Sequence, residues 1–275
     1  MGRADWAIAR EILYEVFEGR DAKVHVGRVH FLGDGLFRRA FRATVKIEPD
    51  PDERSAAYVV LLPRWNVDAD FDRRVRREAR LLTRLGEKEL PFRIPRIAGV
   101  VSERGHPVLV ESIVPGLELD LRADRQGLEK PWEVVGELAA AVHELDPALV
   151  EVGHATRRAH AQAKLSSFEG LEDTLVLDAQ AWAHDHLPPA TESVFLHGDL
   201  LGQNIMLHPE EPFGIIDWEF ATRGDPAEEL AIVTRGVRRP FQKEETGSIV
   251  FSMLMLVQAG RTSPRPRFIF TSFAS

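Results

Sequence analysis

The stretch Phe195-Leu-His197-Gly-Asp199-Leu-Leu-Gly-Gln-Asn204-Ile-Met206, followed by Gly214-Ile-Ile-Asp217-Trp218, limits what this chain can fold into more than any other feature. Short apolar runs at 194–196, 205–207 and 213–216 read as strands, and each breaks into a loop bearing an acid or an amide. Asp199, Asn204 and Asp217 therefore sit where strands end, the usual place for side chains that a rigid scaffold presents to a ligand. Taken singly, Asp199 caps a turn, Asn204 fills one and Asp217 ends a strand. Their joint spacing between short strands is what points to chemistry.

The rest of the chain divides into a strand-rich front and a helix-rich back. Residues 6–18 place Ile8, Ile12, Leu13, Val16 and Phe17 at a helical period. Strands are expected at Val24–Phe31 and Leu36–Ile47, joined at Gly33-Asp34-Gly35 by a turn using the positive φ that glycine supplies. Tyr58–Leu62 reads as a buried strand stopped by Pro63, residues 70–86 as a helix, and 97–102 with 107–114 as a strand pair. Pro115-Gly116 is the expected hinge between lobes. Beyond it, Trp132, Val135, Leu138, Ala139 and Val142 mark a helix, 174–187 another, and Asp225-Pro226-Ala227-Glu228 opens a third, with Asp as N-cap, Pro at N1 and Glu at N3. The expectation is an α+β, two-lobed molecule: an N-terminal lobe at 1–114, a C-terminal lobe at 115–245, and an atypical tail at 246–275. No Asp or Glu follows Glu245, and the tail mixes an apolar run with Arg261-Thr-Ser-Pro-Arg-Pro-Arg267, which fits a truncated or frame-shifted end.

Composition excludes several classes. The chain has no cysteine, so disulfides, thiolate metal sites and cysteine nucleophiles are ruled out. The apolar run Ile249–Val257 is too short to span a bilayer, which needs about 20 residues, so a soluble cytoplasmic protein is expected. Residues 1–110 hold 21 Lys/Arg against 17 Asp/Glu, and residues 111–275 hold 14 against 26. A basic front suits a polyphosphate. An acidic back, with Glu118, Asp120 and Asp124, suits an amine-bearing substrate. No basic stripe interleaved with aromatics appears, which disfavours nucleic acid, and nothing in the sequence specifies an oligomeric state.

Asp199 is placed to accept the proton of a substrate hydroxyl and aim it at a γ-phosphate. Asn204 and Asp217 offer oxygen donors to Mg²⁺, a hard ion that takes few protein ligands beside phosphates and water. His197 and His143 read as structural histidines that fix neighbouring backbone. A metal hydrolase built on His197, Asp199 and Asp217 is disfavoured, since no histidine pair has ligand spacing. On the 70–86 helix, Phe71, Val75, Leu82 and Leu85 form an apolar arc with Glu78 near its centre. A carboxylate there is expensive unless a cation meets it, either Arg74 on the neighbouring turn or a strand lysine or arginine that grips nucleotide phosphates. Gly33 and Gly35 form a weak phosphate-loop signal, and the backbone of Glu111 to Val114, including Ile113, is the segment expected to edge an adenine.

These residues resemble the aminoglycoside phosphotransferase family, whose members share a bilobal protein-kinase-like fold. The resemblance covers roughly residues 24–240 and is carried by His197-Gly-Asp199-Leu-Leu-Gly-Gln-Asn204, Ile216-Asp217-Trp218-Glu219 and Gly224-Asp225-Pro226, and more faintly by Arg77-Glu78-Ala79 and Val110–Gly116. It implies Asp199 as catalytic base, Asn204 and Asp217 as magnesium ligands, Glu78 as the ion-pair glutamate, ATP or GTP as co-substrate, and a small-molecule hydroxyl, aminoglycoside-like or another alcohol, as acceptor. The chain departs from the family pattern where Leu61 stands for the phosphate-gripping cation, with Arg64 or Lys46 as stand-ins, where Glu229 replaces an aspartate, and in its tail. The alternative these departures raise is a nucleotide-binding pseudoenzyme of the same fold.

Overall fold

The computed structural model describes residues 4–18, 23–48, 55–65, 67–121, 131–170 and 174–234. Asp124, the side chain of Trp132 and the tail at 246–275 lie outside the described residues. The chain forms two compact units: the first runs to Gly116 and takes in Met206–Glu219, and the second holds Leu117–Ile205 and the residues from Phe220 onward. No described helix is long and apolar enough to cross a membrane.

The first unit is a six-stranded antiparallel sheet with a helix on each face. Its elements are α1 (Asp5–Phe17), β1 (Lys23–Val26), β2 (His30–Asp34), β3 (Arg38–Glu48), β4 (Ser55–Pro63), α2 (Phe71–Gly86), β5 (Ile97–Glu103) and β6 (His106–Ser112). The sheet order is β1-β3-β4-β6-β5, and β2 continues the β1 edge farther along β3. Strand alternation decides which helix each residue meets. Phe41 pairs with Val60 and Val60 with Val110, so these point one way, into a core with Ile8, Ile12, Leu13 and Phe17 of α1. Ala40 pairs with Leu61 and Leu61 with Leu109, so these point the other way, where Leu61 and Leu109 meet Phe71, Val75 and Ala79 of α2. Arg38 and Glu111 fall on this second face by the same count.

The turn between β2 and β3 differs from expectation. A bulge between Phe31 and Gly33 shifts the register, so β2 runs on to Asp34 and Gly33 lies inside it. The turn spans Gly35–Phe37 and closes with Gly35 N–H donating to the Arg38 carbonyl at 2.8 Å. Neither Gly33 nor Gly35 adopts a left-handed φ.

The second unit contains β7 (Leu117–Glu118), α3 (Pro131–His143), α4 (Arg157–Ser166), α5 (Thr174–Asp185), β8 (Val194–Leu196), most of the loop before β9 (Ile205–Leu207), and, after β10 (Gly214–Ile215) in the first unit, β11 (Thr222–Gly224) and α6 (Pro226–Thr234). β8 and β11 pair antiparallel, Phe195 opposite Arg223. Val135, Leu138, Ala139 and Val142 of α3 are buried, as their spacing predicts. α4 escapes sequence reading because its apolar stripe is weak, and Thr156 starts it by accepting from Ala159 N–H at 3.2 Å.

Candidate active site

In the second unit, the loop after β8 is fixed from three directions. His197 is fully buried, and its Nδ1 accepts the Asp199 amide at 3.2 Å, the structural role expected of it. Gly198 has φ of +84°, and a Cβ there would stand 2.3 Å from the Phe220 carbonyl oxygen, so only glycine fits. Its amide donates to Glu229 Oε1 at 2.8 Å, while Glu229 Oε2 lies 2.9 Å from Nε2 of His143. Glu229 has no solvent exposure, so its carboxylate depends on these two partners. Glu229 thus ties α3, α6 and the loop to one side chain.

Leu200, fully buried, anchors the far side of the same loop, and a short 3-10 turn at Gly202–Asn204 leads into β9. Asn204 Nδ2 donates to the Asp199 carbonyl at 2.8 Å and to Asp199 Oδ2 at 2.9 Å. Both amide hydrogens are therefore directed at Asp199, which turns the Asn204 carbonyl oxygen away from it as an acceptor. The structure thus brings together the expected base and one expected magnesium ligand.

In the first unit, Glu78 is 2% exposed and meets Arg38: Nη1 to Oε2 is 2.5 Å and Nη2 to Oε1 is 3.4 Å. Arg38 Nη2 also lies 3.0 Å from Asp217 Oδ1 and 3.4 Å from Glu219 Oε2. Burial works against the Arg38 charge, but attraction to Glu78, Glu219 and Asp217 outweighs it and holds the guanidinium protonated. Glu111, buried on the same sheet face, is pushed up to about 8 by burial and by Glu78, against the pull of Arg38. Glu219 rises to about 7, mainly by burial. Asp217 holds φ of +65°, a left-handed conformation that aspartate tolerates better than most residues.

The cation opposite Glu78 is therefore neither Arg64 nor Lys46, nor is it Arg74. Arg64 donates to the Gly35 carbonyl, Lys46 pairs with Glu48 at 3.2 Å, and Arg74 pairs with Asp68 at 3.1 Å. The signal that could have found Arg38 is the Arg38-Arg39 pair inside a buried strand. Adjacent residues face opposite sides of a sheet, so each arginine needs its own carboxylate, and Arg39 finds Asp5 of α1. Of the other expected contacts, the Ile113 amide is taken by the Ala57 carbonyl at 3.0 Å, and Glu111 directs a buried side chain toward the Arg38 cluster.

The carboxamide oxygen of Asn204 in the second unit and the carboxylate of Asp217 in the first, whose side chain is 38% exposed, are each hard oxygen donors of the kind Mg²⁺ takes. Among the described residues no group of three or more His, Asp or Glu side chains forms a metal-holding cluster.

The sequence model of the phosphotransferase enzyme family matches residues 45–251. Among solved structures, the chain is similar to the macrolide 2'-phosphotransferase MphH of Brachybacterium faecium (20% identity, 95% of this chain and 85% of that one, TM-score 0.58). It is also similar to a thermostable aminoglycoside phosphotransferase APH(4)-Ia in ternary complex with ADP and hygromycin B (18% identity, 93% and 85%, TM-score 0.61). At these identities the likeness shows the fold, the kinase-like α+β architecture expected from the sequence. Two curated relatives match only locally: acyl-CoA dehydrogenase family member 10 of Mus musculus is 38% identical over 52 residues, and member 11 of Gallus gallus is 39% identical over 57. The matched segments span 5% and 7% of those proteins. With three quarters of its length matched by one family, this chain belongs to the phosphotransferase enzyme family.

Proposed function

We propose that the protein transfers the γ-phosphate of a magnesium-bound ATP or GTP to a hydroxyl of a small molecule, with Asp199 as the base. The observation that carries this reading is the Asp199–Asn204 arrangement, in which one amide orients the carboxylate while its own oxygen points elsewhere. Asp199 would accept the hydroxyl proton and aim the oxygen in line with the phosphorus. Asn204 and Asp217 would hold Mg²⁺, which neutralises charge on the transferring phosphoryl group. Gly35 opens the β2–β3 turn that closes onto Arg38, with Gly33 just before it in β2, so this turn would cover the phosphates, and the Glu111–Val114 backbone would edge the base. The protein itself forms no covalent intermediate, and its contribution is positioning and electrostatics.

The charge of the back half supports an amine-bearing alcohol as acceptor: residues 111–275 carry 26 Asp/Glu against 14 Lys/Arg. Reliance on a nucleoside triphosphate suits a cytoplasmic setting. A library of hydroxyl compounds, with and without amines, incubated with γ-labelled ATP or GTP tests the reading. Asp199→Ala should cut transfer about a hundredfold or more while nucleotide affinity holds. Near wild-type transfer by that variant would remove Asp199 as base, and nucleotide binding without transfer to any acceptor would favour a pseudoenzyme.

A further inference from the structure

Position 61 of β4 faces α2 but carries no charge: Leu61 packs with Phe71, Val75 and Ala79. The register sets Ala40 directly opposite Leu61, and Arg38 lies two residues along β3 on the same face. Such diagonal neighbours are roughly 7–8 Å apart across a sheet, a span that an extended arginine side chain covers. Arg38 accordingly reaches the Glu78 carboxylate of α2 from β3, the strand next to the one bearing Leu61. It precedes the residues matched by the family model, which begin at 45, so that match assigns it no role.

We infer that Arg38 is the phosphate-gripping cation of this protein, moved from β4 to β3, and that it keeps Glu78 while exchanging Asp217 for a nucleotide phosphate. This inference rests on the phosphotransferase reading above. The exposures of its partners decide which contact is exchanged. The Glu78 and Glu219 side chains are 1% and 7% exposed, whereas that of Asp217 is 38% exposed. A guanidinium can serve both ends at once, because its fork presents several N–H donors in one plane. Nη1 holds Glu78 at 2.5 Å, and the exchange falls to Nη2, which lies 3.0 Å from Asp217 Oδ1 and only 3.4 Å from Glu78 Oε1. Three carboxylates around a single arginine also keep it charged and hold its rotamer before any ligand arrives.

The test is calorimetric affinity for ATP and GTP against adenosine and guanosine, which isolates the phosphate contribution without reference to turnover. Arg38→Met alone strands a buried carboxylate and is expected to destabilise the fold, so it is combined with Glu78→Gln, with thermal melting to confirm folding. The double variant should keep nucleoside affinity and lose roughly tenfold to a hundredfold in nucleotide affinity, the worth of a charge-assisted hydrogen bond. Arg38→Met with Leu61→Lys returns the cation to β4 opposite Glu78 and should recover part of that loss. A folded Arg38→Met/Glu78→Gln protein with the wild-type ratio of nucleotide to nucleoside affinity would overturn the inference alone and leave Arg38 a structural partner of Glu78. A wild-type protein with no nucleotide affinity would overturn the phosphotransfer reading and this inference together.

Discussion

Glu111 shows how one side chain ties stability to pH. Its carboxyl is buried beside Glu78 and rises to about 8 in the folded protein, against an ordinary value of 4.5. Between these values the folded state holds a proton that the unfolded chain has released, so the Glu111 contribution favours folding at low pH and is lost as pH climbs through that window. Glu111→Gln cannot ionise. The stability of this variant relative to wild type should therefore grow between about pH 5 and about pH 9, by an amount on the order of a few kcal/mol at most. Urea titrations at several pH values measure it, and a constant difference across the range would show that the fold does not raise the Glu111 carboxyl above its ordinary value. At this scale the sequence already required a cation for Glu78, because a charge amid Phe71, Val75, Leu82 and Leu85 cannot stand alone. It did not reveal which one, because Arg38 is 40 positions away and Asp217 a further 139 beyond Glu78.

The start of α6 illustrates the element scale. Asp225 Oδ1 accepts the Ala227 amide at 3.0 Å, so the N-cap expected from Asp-Pro-Ala-Glu is formed. The reciprocal half of a capping box is not. Glu228 turns instead to His160 and Lys164 of α4, and these hydrogen bonds hold its carboxyl at about 2 in spite of burial. Asp225 also accepts from Arg157 at 2.9 Å, so α4 and α6 are joined through the same two carboxylates. Asp225→Ala should cost about 1–3 kcal/mol, the cap plus the stranded arginine contact, whereas Asp225→Asn keeps the cap and should cost less. Equal losses in chemical denaturation would mean that the cap contributes nothing. The helix start was readable because capping is local in sequence; the α4 tie was not, because its partners lie 68 residues apart.

For the molecule as a whole, the first unit is discontinuous. Residues 206–219 return to it and bring Trp218, 1% exposed, onto Phe92 with ring centroids 6.1 Å apart, and its indole N–H donates to the Ile215 carbonyl at 3.0 Å. They also bring Asp217 and Glu219 to Arg38. A chain ending at Gly116 should therefore fail to unfold cooperatively on its own. Gly116 has φ of +139° and a Cβ there would lie 2.6 Å from the Leu207 carbonyl oxygen, so the two segments already meet. Joining Gly116 to Met206 with a short Gly/Ser linker should restore a cooperative transition by circular dichroism, and equal behaviour of the 1–116 chain with and without 206–219 would show the returning segment to be dispensable.

By itself the sequence determined the features that depend on short-range order. Alternation and helical period set the elements of the front half, the spacing of Asp199 and Asn204 set a loop whose residues bond one another directly, and a lone acid on an apolar stripe set the need for a counter-charge. The tertiary structure decided which residues far apart in the chain answer those needs. Arg38 for Glu78, and His143 with Glu229 for the Gly198 amide, are choices of strand register and helix packing. A one-residue slip in β3 would carry Arg38 to the α1 face of the sheet, since successive side chains point to opposite sides, and no local pattern of residues encodes that outcome.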